Sequence, residues 1–465
     1  MAGVRGRRPS DMKRADAPNA GKSGLDAFLD HPVLVLLLFM ALPVLIFWKP
    51  NFFYMMDDWT ALIAMVQYPF GHYLVTPDGE QWFPFFHLIY YGLVKFAGLH
   101  YSRLVLINCL GTGVNAFLVY SFFRRHWEPG LALSLSILYV VAALHHAIAW
   151  NAFYFGYALS LGLFLGALLL TDSYVRTPSG GKFWGIGLCA VLSILSHNYP
   201  LMGLLALPLY ALLMGKKRSW RAFWMVSGVI GAVYIVFMVG YLSFAGLPAA
   251  TSHNHGIFAG LPGPTYLLHM FCGAFLAPFF YLFWGHYHFP ILAYIAGVTL
   301  LTLSLAAIWR WGGLPERHLA LWALLLNLLP FCLISLTRYQ RHVSQAYVAR
   351  YGIFTLIGAL LLVGTAWRLL APRIPQKWLA QTLAGVLLAV MVGGQILSLP
   401  RWTAQYLEIS RAAQKCYAVL NRDGGDGVGL TADDFNKFCP TAHPTITSGQ
   451  AQAIKRLLSG RPKSP

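Results

Sequence analysis

An all-α, polytopic membrane fold is the architecture this sequence predicts, and three observations carry it. Of 465 residues, 57% are hydrophobic and 11% charged, with a mean hydropathy of +0.58, a balance that a soluble globular domain does not reach. Apolar runs close to the length of a membrane-crossing helix, about 20 residues, recur along the whole chain. The alternation of barrel strands is missing, so helices must satisfy the backbone inside the bilayer.

Eleven runs read as spanning helices: 32–48, 101–123, 131–149, 152–170, 183–196, 199–214, 222–244, 289–308, 319–336, 352–367 and 378–397. Two further apolar stretches, 83–97 and 266–284, decide the topology, because counting both as spans inverts everything between them. The positive-inside rule chooses. Inversion would put Arg124, Arg125, Arg176, Lys182, Lys216, Lys217, Arg218 and Arg221 outside, whereas laying both stretches along the outer interface keeps them in the cytoplasm. Pro84, His87 and Lys95 in the first stretch, and His269, Pro278 and several aromatics in the second, suit amphipathic interfacial helices. Arg310, Arg317, Arg368, Arg373 and Lys377 then also fall in the cytoplasm.

Residues 1–30 read as a disordered basic cytoplasmic tail, with Arg5, Arg7, Arg8, Lys13, Arg14 and Lys22 against Asp11 and Asp16 and no signal-peptide cleavage pattern. Residues 31–400 form the transmembrane domain. Residues 401–465 read as a small external appendage, two helix-like stretches at 402–420 and 450–458 around a Gly-rich loop. The net charge of +18 is dispersed in short clusters between apolar runs, as topology signals are, and does not call for nucleic acid.

Metal chemistry finds little support. Cys109, Cys189, Cys272 and Cys332 lie in apolar runs as small hydrophobes. Cys416 and Cys439 share the external segment, where a disulfide and two free thiols remain open alternatives. His253-Asn254-His255 and His286-Tyr287-His288 offer two ligands each, short of a zinc set. The stretch from Asn421 to Phe435 departs from a calcium loop, with Asp426 where Gly is needed and Ala432 where Glu is needed. No metal or cofactor is expected, with a divalent ion left open.

Seven acids lie between the first and last runs: Asp57, Asp58, Asp78, Glu80, Glu128, Asp172 and Glu316. The last three fall in cytoplasmic turns, where they solvate loops or pair with Arg. The first four share the first external loop. A charge at the bilayer centre costs about 3 kcal/mol, so adjacent acids beside a membrane suggest a task. Asp57 and Asp58 follow Phe52-Phe53-Tyr54 and precede Trp59, which sets them at headgroup depth; Asp78-Gly79-Glu80 after Pro77 reads as a turn. The structural alternative is an N-cap for a helix starting near Trp59, and one acid can cap while its neighbour reacts.

The complement is basic and aromatic. Arg338, Arg341 and Arg350 sit in one external loop against the positive-inside trend, and guanidinium forks suit phosphate oxygens; anchoring to anionic headgroups is the other reading. His197-Asn198 breaks an apolar hairpin at the outer end of the fifth run, as a cavity-lining pair or as an interhelical contact before Pro200. Trp150-Asn151 with Tyr154 and Tyr157 offers the same choice.

Tyr54-Met55-Met56-Asp57-Asp58-Trp59, then Trp82-Phe83-Pro84-Phe85, the run 108–125 ending Phe-Phe-Arg-Arg, and Ala349-Arg350-Tyr351 together resemble the GT-C superfamily of membrane glycosyltransferases. Its members include protein mannosyltransferases and the lipid A aminoarabinose transferase. The likeness runs over 32–397 and departs at Ser196-His197-Asn198-Tyr199-Pro200, where many members carry an acid or Lys. It implies an inverting transferase of the inner membrane, moving a sugar from a polyprenyl-phosphate donor to a lipid, glycan or protein acceptor on the external face. It also implies that Asp57 or Asp58 is the base, Asp57 slightly ahead, with Arg350-Tyr351 turned to the donor phosphate. Arg338, Arg341, Trp59, Lys95, His197 and Asn198 complete the candidate substrate site. The competing reading is a lipid or saccharide transporter or flippase. That reading expects charges near midplane and internal repeats, whereas here the charges collect at one face and no repeat is evident.

Overall fold

The structure, a computed structural model, describes residues 28–29, 31–54, 57–77, 82–98, 100–197, 201–215, 219–244, 264–286, 288–338, 349–422, 453–454 and 456–457. Among them every regular element is helical. Six helices are long and apolar enough to cross a membrane: Tyr101–Phe123, Ala152–Arg176, Trp220–Phe244, Ile291–Trp311, Gly352–Arg373 and Lys377–Lys415. The number rises to eight if the bent pairs Pro129–Val141 with Ala143–Ala149 (44°) and Pro264–Phe275 with Ala277–Phe283 (48°) each count as one. The chain is an all-α membrane protein. Sequence patterning expects about eleven crossings from apolar length and the placement of basic clusters. Pro32–Phe47 and Gly180–Ser196 are shorter helices, and the run 199–214 divides into Leu201–Leu204 and Ala206–Met214.

Side-chain contacts sort the helix ends into two groups. Trp150 Nε1 donates to the Phe47 carbonyl at 2.6 Å and Tyr101 donates to Asp58, so Phe47, Asp58, Tyr101 and Trp150 share one end. At the other, Arg124 donates to the Leu29 carbonyl, Arg125 reaches Asp172, and Arg368 reaches the His126 carbonyl at 3.1 Å. Tyr210 joins that group through Asp172, and His318 Nδ1 lies 2.8 Å from the nearby Leu213 carbonyl. Helix Tyr101–Phe123 spans the two ends, roughly 33 Å at 1.5 Å per residue.

Two segments leave and return at the Asp58 end. Phe47 and Tyr101 both lie there, so Asp57–Gln67, Phe70–Val75 and Pro84–Ala97 between them make no net crossing. Trp82 stacks on Phe244 at 5.9 Å. Trp402, which stacks on His146 at 3.8 Å, donates to the Gly285 carbonyl at 2.8 Å. Phe244 and Gly285 therefore both lie at that end.

Breaking a helix inside a membrane frees backbone groups that need partners. Gln395, on the last long helix, supplies one at the first bend and also caps the far end of the second pair. Its Oε1 accepts from the Ala143 N–H at 2.8 Å, just after the first bend, and its Nε2 donates to the Tyr281 and Leu282 carbonyls at 2.6 and 3.1 Å, at the close of the second pair. Helix crossing is tight at Gly113, where a Cβ would collide with the Phe39 carbonyl oxygen.

The last helix, Lys377–Arg422, runs 46 residues through Pro400. A proline usually ends a helix, which is why the sequence reads as a span followed by a separate helix. Here Trp402, Tyr406 and Ser410 pack down on the Asp58 end, and that burial carries the helix past the proline.

Candidate active site

Asp58 is the second residue of helix Asp57–Gln67 and is 0% exposed. Its Oδ1 accepts from the Tyr90 hydroxyl at 2.8 Å and the Phe153 N–H at 2.7 Å, and its Oδ2 accepts from the Tyr101 hydroxyl at 2.7 Å. Phe153 lies in the short 3-10 turn Ala152–Tyr154 that leads into Phe155–Arg176. The Ala152 N–H donates to the Tyr101 oxygen at 2.9 Å. Asn151, the cap residue by position, makes no side-chain cap bond. Asp58 and Tyr101 therefore cap this helix start from distant parts of the chain, and the exposed amides and dipole of a helix N-terminus favour an anion there.

The surrounding bonds hold the capped segment still. Asn108 Nδ2 donates to the Ile148 and Asn151 carbonyls at 2.7 and 3.1 Å. The Tyr54 hydroxyl donates to the Gly98 carbonyl at 2.7 Å, and its ring lies 4.8 Å from that of Tyr101. Gly98 has φ 54°, a turn that glycine makes without strain. Burial first, and then the charge of Asp58, push the Tyr90 phenol well above its usual range, so it remains a donor at physiological pH.

An aromatic wall continues from this cage. Phe153 meets Phe83, Phe86 and Tyr90 at 6.0, 5.2 and 5.7 Å. His197, buried, stacks on Phe83 at 5.8 Å and lies 3.7 Å from the Tyr157 ring. His87 Nδ1 lies 3.0 Å from the Tyr73 carbonyl and so carries the proton. Burial lowers the His87 pKa to about 4, leaving the ring neutral at pH 7.

Of the residues singled out in the sequence, Asp58 and His197 join this aromatic cluster. Lys95 lies on the exposed side of Pro84–Ala97, its ammonium 5.5 Å from the Tyr91 ring centre. Asp57 opens the Asp58 helix and Trp59 follows. Arg338 ends Leu314–Arg338, and Arg350 and Tyr351 begin Ala349–Leu370, with their backbones at the Asp58 end. The side chains of Asp57, Trp59, Arg338, Arg350 and Tyr351 lie outside the described residues, as do Arg341, Asn198, the His253 and His255 pair, the Cys416 side chain, Cys439 and the loop 423–435. Among the described residues no three His, Cys, Asp or Glu side chains converge to hold a metal.

Sequence reasoning missed Tyr90, Tyr101 and the Phe153 amide. A tyrosine near a span end reads equally well as a headgroup anchor, and a backbone amide has no sequence signature. The Asp172 pairing was visible as one of two alternatives. Asp172 binds Arg125 and Arg176 at 2.7 and 3.1 Å, although the residue is buried where a loop acid was the other expectation.

No protein-family model matches the chain, and no curated protein matches it. Among solved structures, the chain is similar to ArnT from Cupriavidus metallidurans bound to undecaprenyl phosphate, with TM-score 0.48, 14% identity, and coverage of 92% of this chain and 78% of that one. The apo crystal structure of the same ArnT gives TM-score 0.45, 14% identity, and coverage of 92% and 77%.

Proposed function

We propose that the chain is a GT-C-type membrane glycosyltransferase that moves a sugar, with inversion, from a polyprenyl-phosphate donor to a lipid, glycan or protein hydroxyl. Transfer takes place at the external face of the inner membrane. The chain crosses eleven times with its N-terminus in the cytoplasm, a reading supported by the two segments that return to the Asp58 end and by basic residues at the opposite one.

The observation that carries the reading is the locked Asp58 carboxylate. With three donors on its oxygens and no exposure, it is out of reach of a substrate hydroxyl and serves as the anchor of its helix. Asp57, one residue earlier on that helix, is then the base. It takes the proton of the acceptor hydroxyl as that oxygen attacks the anomeric carbon. The bond from that carbon to the phosphate oxygen breaks, and its electron pair leaves on the polyprenyl phosphate. Arg338, Arg341 and Arg350 neutralise that charge. A phosphate leaves without a proton donor, so one carboxylate suffices where a glycosidase needs two. No step uses a cofactor.

Incubation of the purified protein with radiolabelled polyprenyl-phosphate sugars and envelope acceptors tests this. Wild type should move label to an acceptor, and Asp57→Asn should reduce transfer at least about a hundredfold with an unchanged melting temperature. Asp58→Asn should lower the melting temperature. Full activity in Asp57→Asn overturns the assignment, and absence of transfer alongside substrate flux into liposomes points to the transporter.

A further inference from the structure

The Phe53 backbone N–H lies in the non-helical stretch between Pro32–Phe47 and Asp57–Gln67, where no helix supplies an acceptor and a buried amide needs one. It donates to the Ser410 hydroxyl at 2.8 Å, across 357 residues of sequence, and both residues are buried. The hydroxyl sits on a helix that grips two further loops of the Asp58 end. Gln395 and Ser398 hold the backbones of Ala143 and Gly285, and Tyr406 packs on His146 and Trp150 at 5.3 and 5.4 Å. Trp402 lies between the His146 and His286 rings at 3.8 and 4.4 Å.

The acidic motif is therefore clamped on both sides. Phe53 is tied to Ser410 on one side, and Asp58 is tied to Tyr90, Tyr101 and Phe153 on the other. Asp57 falls between the two clamps. We propose that Ser410 is a positioning residue for the transferase reaction, holding the chain that enters Asp57 so that its carboxylate meets the acceptor hydroxyl; this rests on the functional reading above. Loss of the Ser410 clamp leaves Asp58 anchored and frees only the approach to Asp57. Turnover should then suffer more than donor binding, because a displacement of about 1 Å at a reacting group can cost up to about a hundredfold in rate.

Two readouts on the full-length protein, in one detergent, test this. In Ser410→Ala, amide exchange in the peptide containing Phe53 should accelerate about fivefold, the worth of one ordinary hydrogen bond. Its kcat for transfer should fall about tenfold while KM for the polyprenyl-phosphate sugar stays within about twofold. Ser410→Thr, which keeps the hydroxyl, should restore both, and Ser410→Cys, close in volume and a weaker acceptor, replaces the Ala variant if that does not fold. Unchanged exchange in Ser410→Ala overturns the tether; faster exchange with unchanged kcat overturns the positioning role. A wild-type protein that transfers no sugar overturns the functional reading instead, and the exchange comparison still decides the tether.

Discussion

Asp58 and Asp172 mark opposite ends of helix Tyr101–Phe123, at 0% and 3% exposure, and each receives a tyrosine hydroxyl, from Tyr101 and Tyr210, at 2.7 Å. Their other partners differ. Asp172 meets Arg125 and Arg176, whose side chains are 33% and 53% exposed, so charge is matched by charge with water close by. Asp58 receives a second phenol and a backbone amide, all buried. Flexible arginines accept many geometries, whereas a phenol and a helix amide accept few. The first arrangement suits a loop anchor, the second a place where the position of a neighbouring group matters.

The largest test compares the two truncations. Asp58→Ala strands the Phe153 N–H and the buried Tyr90 phenol, while the Tyr101 hydroxyl keeps the Trp150 carbonyl at 3.0 Å; at roughly 1–3 kcal/mol for each group left without a partner, about 4 kcal/mol of stability should go. Asp172→Ala leaves two arginines that water can reach and a Tyr210 phenol that still has His126 Nε2 at 3.3 Å, so about 1 kcal/mol should go. Denaturation of both variants in the same detergent measures this, and equal losses break the contrast.

The next effect is acid sensitivity, carried by histidines at both ends. Burial lowers His87 from 6.5 to about 4, so between those values the unfolded chain binds a proton that the folded one refuses. Stability is then fully present above about pH 6.5 and falls towards pH 4, by up to about 3 kcal/mol. His126 is also lowered to about 4, by burial first, but it is only half-buried, so solvent screening shrinks its share. Melting curves from pH 7 to 4.5 should flatten more in His87→Gln than in His126→Gln; the reverse order would make the Asp172 end the drier one.

Much of the fold was legible because apolar length and basic clusters are properties of the chain itself, independent of packing. The bends inside the apolar runs were less so. Length does not reveal that the helices bend at Ala142 and Leu276, nor that the Gln395 side chain accepts the Ala143 amide freed at the first bend. At the candidate site, scarcity alone picked out Asp57 and Asp58, since few acids lie between the first and last runs. The partners of Asp58 were not legible, because Tyr90, Tyr101 and an amide of the 152–154 turn reach it from 32 to 95 residues away. The Ser410 contact with Phe53 was hidden for the same reason, and because residues 401–465 read as a separate appendage.

The smallest expected effect separates the two aspartates most directly. Raising ionic strength from about 0.1 to 1 M shortens the screening length from about 10 to 3 Å. Ions reach the exposed guanidiniums of Arg125 and Arg176, so the stability cost of Asp172→Ala should fall by a few tenths of a kcal/mol, on the order of the whole value of a surface pair. Ions do not enter the covered Asp58 cage, so the cost of Asp58→Ala should stay constant across the same series. If it falls in step, water and ions reach Asp58, and its carboxylate becomes as available to an acceptor hydroxyl as that of Asp57. A constant cost leaves Asp58 as the dry anchor and the proton to Asp57.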